Sequence, residues 1–328
     1  MKLRPALLLL ACATLSPALA GAQTSQADPG PNWPTRPIRM LVGSPPGGGT
    51  DAMARAVADK LALALKKPVV VENRPGASNT LAADVTAKST DGHTMVMGVA
   101  TAHAIVPHLM KLGYDNNNDL VPVVYVGAVP NVLVVNNNLG VNDVNELVAL
   151  AKRKPGELNF ASSGIGSVQH IAGEMFKDAT GTSIAHVPYK GSGPALVDLM
   201  AGQVQMNLDT MPSVLQQIQG GRIKALGVAS AQRSPRLPNV PTLAESGLAG
   251  VDMKTWYGIY MPAATPKQVQ RIVHDEMNKI LAEPDTKTRI ENFGGEVAPM
   301  SQAEFAAFHV KENARYADLI QRRGIRGD

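Results

Sequence analysis

Short apolar runs alternate along this chain with stretches whose apolar positions recur at helical spacing. The first run, Ile38 to Val42, stops at Ser44-Pro45-Pro46, and Gly47, Gly48, Gly49, Thr50 and Asp51 follow. Met53, Val57, Leu61 and Leu65 then recur every four residues, which places them on one helix face. The segment predicts a buried strand, a tight glycine loop and a helix. Pro68 to Glu72 predicts a second buried strand, Asn73-Arg74-Pro75-Gly76-Ala77-Ser78-Asn79 a turn into a helix, and Leu81 to Lys88 that helix. His93 to Val99 is a third strand ending at Thr101, with a short helix expected around His103 to Met110. Strands and helices alternating through short loops predict a parallel sheet covered on both faces.

Leu120 to Asn136 is one β-rich run interrupted by Pro130, too long for an ordinary strand, and is expected to cross between lobes. Beyond it the pattern starts again. Asp143 to Lys154 reads as helix, Leu158 to Ala161 as strand, and Ser162-Ser163-Gly164-Ile165-Gly166-Ser167 as loop. Val168 to Ala179 reads as a helix with Ile171, Met175 and Phe176 inward. Ile184 to Tyr189 is strand, Lys190-Gly191-Ser192-Gly193-Pro194 loop, then a helix to Met200 and strands at Val204 to Asp209 and Ile223 to Ser230. Gly47 and Gly76 lie 29 positions apart and Gly164 and Gly191 lie 27 apart, so the unit occurs twice at similar spacing. Lys254 to Met261 is expected to cross back, Thr265-Pro266 to cap a helix to Leu281, and Ser301-Gln302-Ala303-Glu304 to open the last helix as a capping box.

The expectation is an α/β chain of two lobes, each a mainly parallel sheet flanked by helices, joined by two crossing strands. Lobe 1 would comprise 35–131 and 254–328, and lobe 2 132–253. In open parallel sheets ligands lie beyond the carboxyl ends of the strands. Two such edges facing one another make a cleft with amide donors on both walls. First-turn amides of a helix have no internal partner, and the helix dipole adds about half a positive charge there. Glycines let those amides crowd a ligand. The loops therefore suit an anion.

Several chemistries are absent from the sequence. It has neither GxxxxGK[ST] nor GxGxxG, so the loops are not nucleotide-phosphate fingerprints. A secreted serine hydrolase is the rival class, yet there is no GxSxG elbow and no SxxK with its partners. The seven histidines show no HExxH or other tight ligand spacing, so neither metal nor cofactor is expected.

Composition adds a compartment. Lys2 and Arg4 precede an apolar stretch from Ala6 to Ala20 that is too short to span a membrane, with small residues at Ala18, Ala20 and Ala22. Residues 1–22 are expected to be a signal peptide and 23–34 a flexible leader, giving an exported, periplasmic protein. The single cysteine, Cys12, would leave with the signal, excluding disulfides and thiolate chemistry from the mature chain. The net charge of +4 would fall to +2, and the longest lysine–arginine run is three residues, Lys152-Arg153-Lys154, too short for a nucleic-acid footprint.

With the loops placed, the chain resembles the substrate-binding proteins of tripartite tricarboxylate transporters, the Bug or TctC-like family. The matching stretches are Trp33-Pro-Thr-Arg-Pro-Ile-Arg, Ser44-Pro-Pro-Gly-Gly-Gly-Thr-Asp, Val71-Glu-Asn-Arg-Pro-Gly-Ala, Leu158-Asn-Phe-Ala-Ser-Ser-Gly, His186-Val-Pro-Tyr-Lys-Gly, Arg233-Ser-Pro and Val240-Pro-Thr-Leu-Ala-Glu-Ser-Gly. The resemblance implies a type II-like periplasmic binding fold, no enzymatic activity, a monomer, a small carboxylate ligand and delivery to a membrane transporter. It also implies that backbone amides and ordered water hold the carboxylate. Carried onto this chain, Gly48, Gly49, Thr50 and Asp51 form one wall and Ser162, Ser163, Gly164 and Ser167 the other. Asn79, Thr101, Tyr189 and Asp209 complete the candidate site; Asp209, at the end of its strand, is expected either to meet a ligand amine or hydroxyl, to orient water, or to make a buried structural hydrogen bond. Ser78-Asn79-Thr80 and Asn207-Leu208-Asp209 depart from the family's usual residues at the distal end of the ligand. A sensor that passes its closed shape to a receptor would need the same site.

Overall fold

The computed structural model describes residues 32–327; the expected signal peptide and most of the leader lie outside the described residues. Strand β1 (Ile38–Val42) pairs in parallel with β2 (Val69–Asn73) and β3 (Thr94–Val99). Helices α1 (Gly49–Leu65) and α2 (Thr80–Ala87) make the two crossovers. Met53, Val57 and Leu61 of α1 are fully buried, which is what their four-residue spacing predicts, whereas Leu65 is only half-buried. Strand β2 was expected to be buried and is instead half-exposed, because it forms the outer edge of its sheet. The short helix expected near His103 is a π-type turn over Thr101–Ile105 running into a 3-10 turn over Val106–His108.

The second lobe repeats the order. Strand β4 (Leu120–Asn136) leads to α3 (Val144–Arg153), capped by Asp143, and then to β5 (Asn159–Ser162). Helix α4 (Val168–Thr180), β6 (Ala185–Pro188), α5 (Ser192–Ala201) and β7 (Met206–Thr210) follow. Strand β5 sits between β6 and β7 in parallel, as β1 sits between β2 and β3. Helix α6 (Met211–Gln219) then leads to β8 (Ile223–Ala229), which runs antiparallel beside β4.

Strand β4 joins the lobes. Its first half pairs antiparallel with β9 (Lys254–Pro262) and its second half with β7 and β8. It continues through Pro130. Amides two residues apart leave a strand on the same edge; Ala128 donates to Glu296 O there, and β8 pairing begins only at Asn131. Pro130 thus falls between two partners on that edge, where its missing N–H costs no ladder bond. The chain ends in α7 (Lys267–Ala282), α8 (Pro284–Asn292) and α9 (Gln302–Arg323), the last opened by the Ser301/Glu304 capping box. Trp256, Tyr260 and Phe305 pack edge to face under α9, in the half of the core that fixes β9.

Candidate functional site

A cleft of about 580 Å³ opens between the two sheets, with the crossing strands as its floor. Side chains alternate across a strand. Thr255 and Tyr257 of β9 accordingly face the cleft, while Trp256 between them turns away and donates its Nε1–H to Glu312. Gly48, Gly49 and Thr50 form part of the lobe 1 wall, with Ser78, Asn79 and Thr101 beside them. Ser163, Gly164, Gln169, Tyr189 and Ser192 face them from lobe 2.

Side chains cap α3 and α9, where Asp143 accepts from Glu146 N and Ser301 from Glu304 N. Helices α1 and α5 start at the cleft, and neither has a side-chain cap among the described residues. Their first-turn amides are therefore left for solvent or a ligand. Close approach demands glycine here. A Cβ on Gly49 would lie 2.6 Å from Tyr257 Oη, and one on Gly191, at φ +111°, 2.8 Å from Pro45 Cγ on the opposite lobe.

Of the twelve candidate residues, Gly48, Gly49, Thr50, Asn79, Thr101, Ser163, Gly164 and Tyr189 line the cleft. The other four stand behind its walls. Asp51 accepts from Gly47 N at 2.9 Å, Asn73 Nδ2 at 2.9 Å and Arg55 Nε at 3.0 Å, so it shapes the glycine loop from inside. Burial works against its charge, but the hydrogen bonds from Arg55, Gly47 and Asn73 outweigh it and hold the carboxyl below its usual range. Ser162 is buried, with Oγ 2.6 Å from His186 Nε2 and accepting from Gly164 N at 3.1 Å. Ser167 caps α4, accepting from His170 N at 3.2 Å. Asp209 is fully buried behind Gln169 and Ser192, which places it in the buried structural hydrogen-bonding role and a layer away from the ligand contact that was the other expectation for it. Among the described residues Lys190 is the one cationic side chain lining the cleft, whereas Arg74 turns to Glu72 at 3.3 Å.

Ser78, Gln169, Ser192, Thr210 and Tyr257 were not among the twelve, yet they line the cleft. Gln169 follows the Ser167 cap by two positions, so the first turn of a helix starting at the loop was the available signal.

The two lobes touch across the cleft. Ser78 Oγ donates to Ile165 O at 2.5 Å, and Thr101 Oγ1 accepts from Val168 N at 3.2 Å. Ala77, Ser78 and Asn79 carry φ of 44°, 51° and 74°, a left-handed run without glycine that aims Ser78 at the other lobe. Each such residue costs about 1 kcal/mol or more, so the contact they make is a costly one to build. Ser78→Ala removes only the hydroxyl; ligand affinity is expected to fall about five- to ten-fold, the worth of one such hydrogen bond. Titration calorimetry on the variant would show this, and unchanged affinity would mean that the contact does not hold the closed form.

This is the two-lobed α/β fold of periplasmic solute-binding proteins, with its site at the crossing strands. Residues 53–325 match the tripartite tricarboxylate transporter family receptor, TctC. Protein BugT of Bordetella pertussis is 38% identical over 300 residues, covering 90% of this chain and 91% of BugT. R. palustris Rpa4515 with adipate superposes with a TM-score of 0.87 at 33% identity, covering 90% of this chain and 99% of that one. MatC (Rpa3494) from Rhodopseudomonas palustris with bound malate gives 0.83 at 29% identity, covering 88% and 100%. The chain belongs to the Bug/TctC-like family.

Proposed function

We propose that the protein is an extracytoplasmic solute-binding protein that closes on a small carboxylate and hands it to a membrane transporter of the tripartite tricarboxylate type. The observation that carries this reading is the pair of uncapped helix starts, α1 and α5, opening on one cleft from opposite lobes. A carboxylate between them would receive amide donors from both sides. Its capture would stabilise the closed arrangement over the open one, which is the differential binding that a two-lobed receptor needs. The malate and adipate held by the two relatives are dicarboxylates, which supports the same ligand class here. No helix among the described residues is long and apolar enough to cross a membrane.

A thermal-shift screen of the purified protein against dicarboxylates, tricarboxylates, amino acids and aromatic acids tests the reading. A ligand at a hundred times its dissociation constant adds about 2.7 kcal/mol, which is a rise of several degrees. A shift with one carboxylate class is expected. Silence across all the acids, with a shift from a neutral sugar or a cation instead, overturns it.

A further inference from the structure

The lobe 2 wall carries a hydrogen-bond chain whose direction is fixed from its buried end. Asp209 is fully buried, and its Oδ1 lies 2.7 Å from Thr210 N. A backbone N–H can only donate, so that oxygen is an acceptor. Gln169 approaches the same oxygen at 2.9 Å, and must therefore present its amide NH₂, since two acceptors would repel. With Nε2 turned inward, Gln169 Oε1 points to Ser163, whose Oγ lies 2.9 Å away. Gln169 Oε1 can only accept, so the Ser163 hydroxyl proton is committed to it. Ser192 Oγ donates to Asp209 Oδ1 at 2.9 Å in the same way. Ser163 and Ser192 both line the cleft, and both have their protons turned away from it. What they offer a ligand is lone pairs.

Resting on the carboxylate reading, we propose that Asp209, acting through Gln169, fixes Ser163 as a hydrogen-bond acceptor, so that the site selects carboxylates bearing a hydroxyl or ammonium donor over unsubstituted ones. The uncapped amides of α1 and α5 take the carboxylate, which brings only acceptors. A plain acid leaves the Ser163 oxygen facing a methylene group, and a dehydrated oxygen without a donor is unfavourable. A hydroxyl or ammonium group supplies the missing proton. Asn79, on the facing wall, also holds its Oδ1 buried with no protein donor in reach, a second acceptor awaiting one. Asp209 and Gln169 are positioning residues in this scheme. Burial drives the Asp209 carboxyl above its usual range against the pull of Gln169, Thr210, Ser192 and Asn207, and the Thr210 contact keeps Oδ1 an acceptor in either protonation form.

Calorimetric titration of the intact mature protein with malate against succinate, and with 2-aminoadipate against adipate, reads the selectivity directly. The substituted acid is expected to bind about ten-fold tighter in at least one pair, the worth of one satisfied buried hydrogen bond. In Gln169→Leu the serine proton is released and the ratio should fall to near one. Asp209→Asn retains an oxygen for the Thr210 amide and should retain the ratio, which a general loosening of the wall would not do. Ser163→Ala, which perturbs the core less, should abolish the ratio as Gln169→Leu does, even if that variant folds poorly. Equal binding within both pairs overturns the proposal while leaving the carboxylate reading intact. A preference that survives both Gln169→Leu and Ser163→Ala overturns it as well. Absence of binding by all four acids overturns this selectivity, whereas the carboxylate reading falls only if the wider screen of acids is silent as well.

Discussion

Gly164→Val is expected to weaken ligand binding about a hundred-fold while leaving a folded protein. Gly164 has φ +137°, and a Cβ built on it would lie 3.0 Å from Ser78 Oγ of the opposite lobe and 3.4 Å from Tyr189 O. The methyls of valine reach further still. They would enter the seam where Ser78 meets Ile165 O, so the obstruction acts on the closed arrangement and not on the separated lobes. Overpacking of this kind costs about 3 kcal/mol, or about a hundred-fold in affinity. Backbone strain at that φ adds about 1–3 kcal/mol to open and closed forms alike, which should appear as a lower melting temperature without ligand. Gly250→Ala is the matched control, because a Cβ there meets nothing within 4 Å and no left-handed φ is involved. Circular dichroism separates loss of fold from loss of closure. Wild-type affinity in folded Gly164→Val would place the ligand elsewhere than between these loops.

Much of this architecture is visible in the sequence because the two lobes use the same unit. The glycine loops end strands whose neighbours repeat at nearly the same spacing, and each loop must approach the other lobe closely, so a side chain is excluded at Gly49 and Gly191. Helices with a wide apolar face, such as α4 with Ile171, Met175 and Phe176, are unambiguous for the same reason. What the sequence hides depends on pairing. Pro130 reads as a break because nothing local reveals that its edge of β4 is changing partners. Helix α6, for which no element was expected between the strands ending at Asp209 and starting at Ile223, is short and is held by Val214 and Leu215 against the second sheet. At the site, polar residues at a loop look alike in sequence whether they face the ligand or the core. Thr50 and Asp51 are neighbours, yet the first lines the cleft and the second braces the loop from behind. Asp209 lies behind Gln169 for the same reason: the strand end is covered by the first turn of α4, a contact made 40 residues away in sequence.

Acidification from pH 6.5 toward 4 is expected to destabilise the protein steeply, well before its carboxylates protonate. His103 is completely buried, and its hydrogen bonds identify it as neutral. Asn116 donates Nδ2–H to His103 O, which turns Asn116 Oδ1 toward His103 Nδ1 at 2.9 Å and places the ring proton there. The other nitrogen, Nε2, is buried without a partner, stacked on Tyr260 with ring centroids 3.9 Å apart. A second proton would have no acceptor. Burial, with the nearby His309 ring adding to it, pushes His103 down to about 3. Burial likewise pushes His309 down to about 4; its Nδ1 faces the Tyr260 hydroxyl at 2.9 Å and its Nε2 faces Asn117 Oδ1 at 3.3 Å. The sign follows from linkage. Below an unfolded value near 6.5 the unfolded chain binds these protons and the folded one does not, so stability is lost as pH falls through that window. Each histidine contributes up to about 1.4 kcal/mol per pH unit. His103 and His309 together should therefore remove about 2 kcal/mol between pH 6 and 5, a fall of about 3 °C in melting temperature for a chain of this size. His186 and His170, stacked at 4.0 Å behind the serine loop and both lowered chiefly by burial, add to the same trend. Because Gly166 N donates to His170 Nδ1 at 3.1 Å, protonating that ring also removes a support of the ligand wall. Asp209, raised by burial, runs in the opposite direction and can offset one proton at most. Urea unfolding midpoints at pH 7.5, 6 and 5 measure the slope, and His309→Gln should reduce it by about one proton. A stability that stays level down to pH 4.5 would mean that these rings accept protons in place, and the hydrogen-bond assignment that keeps them neutral would be wrong.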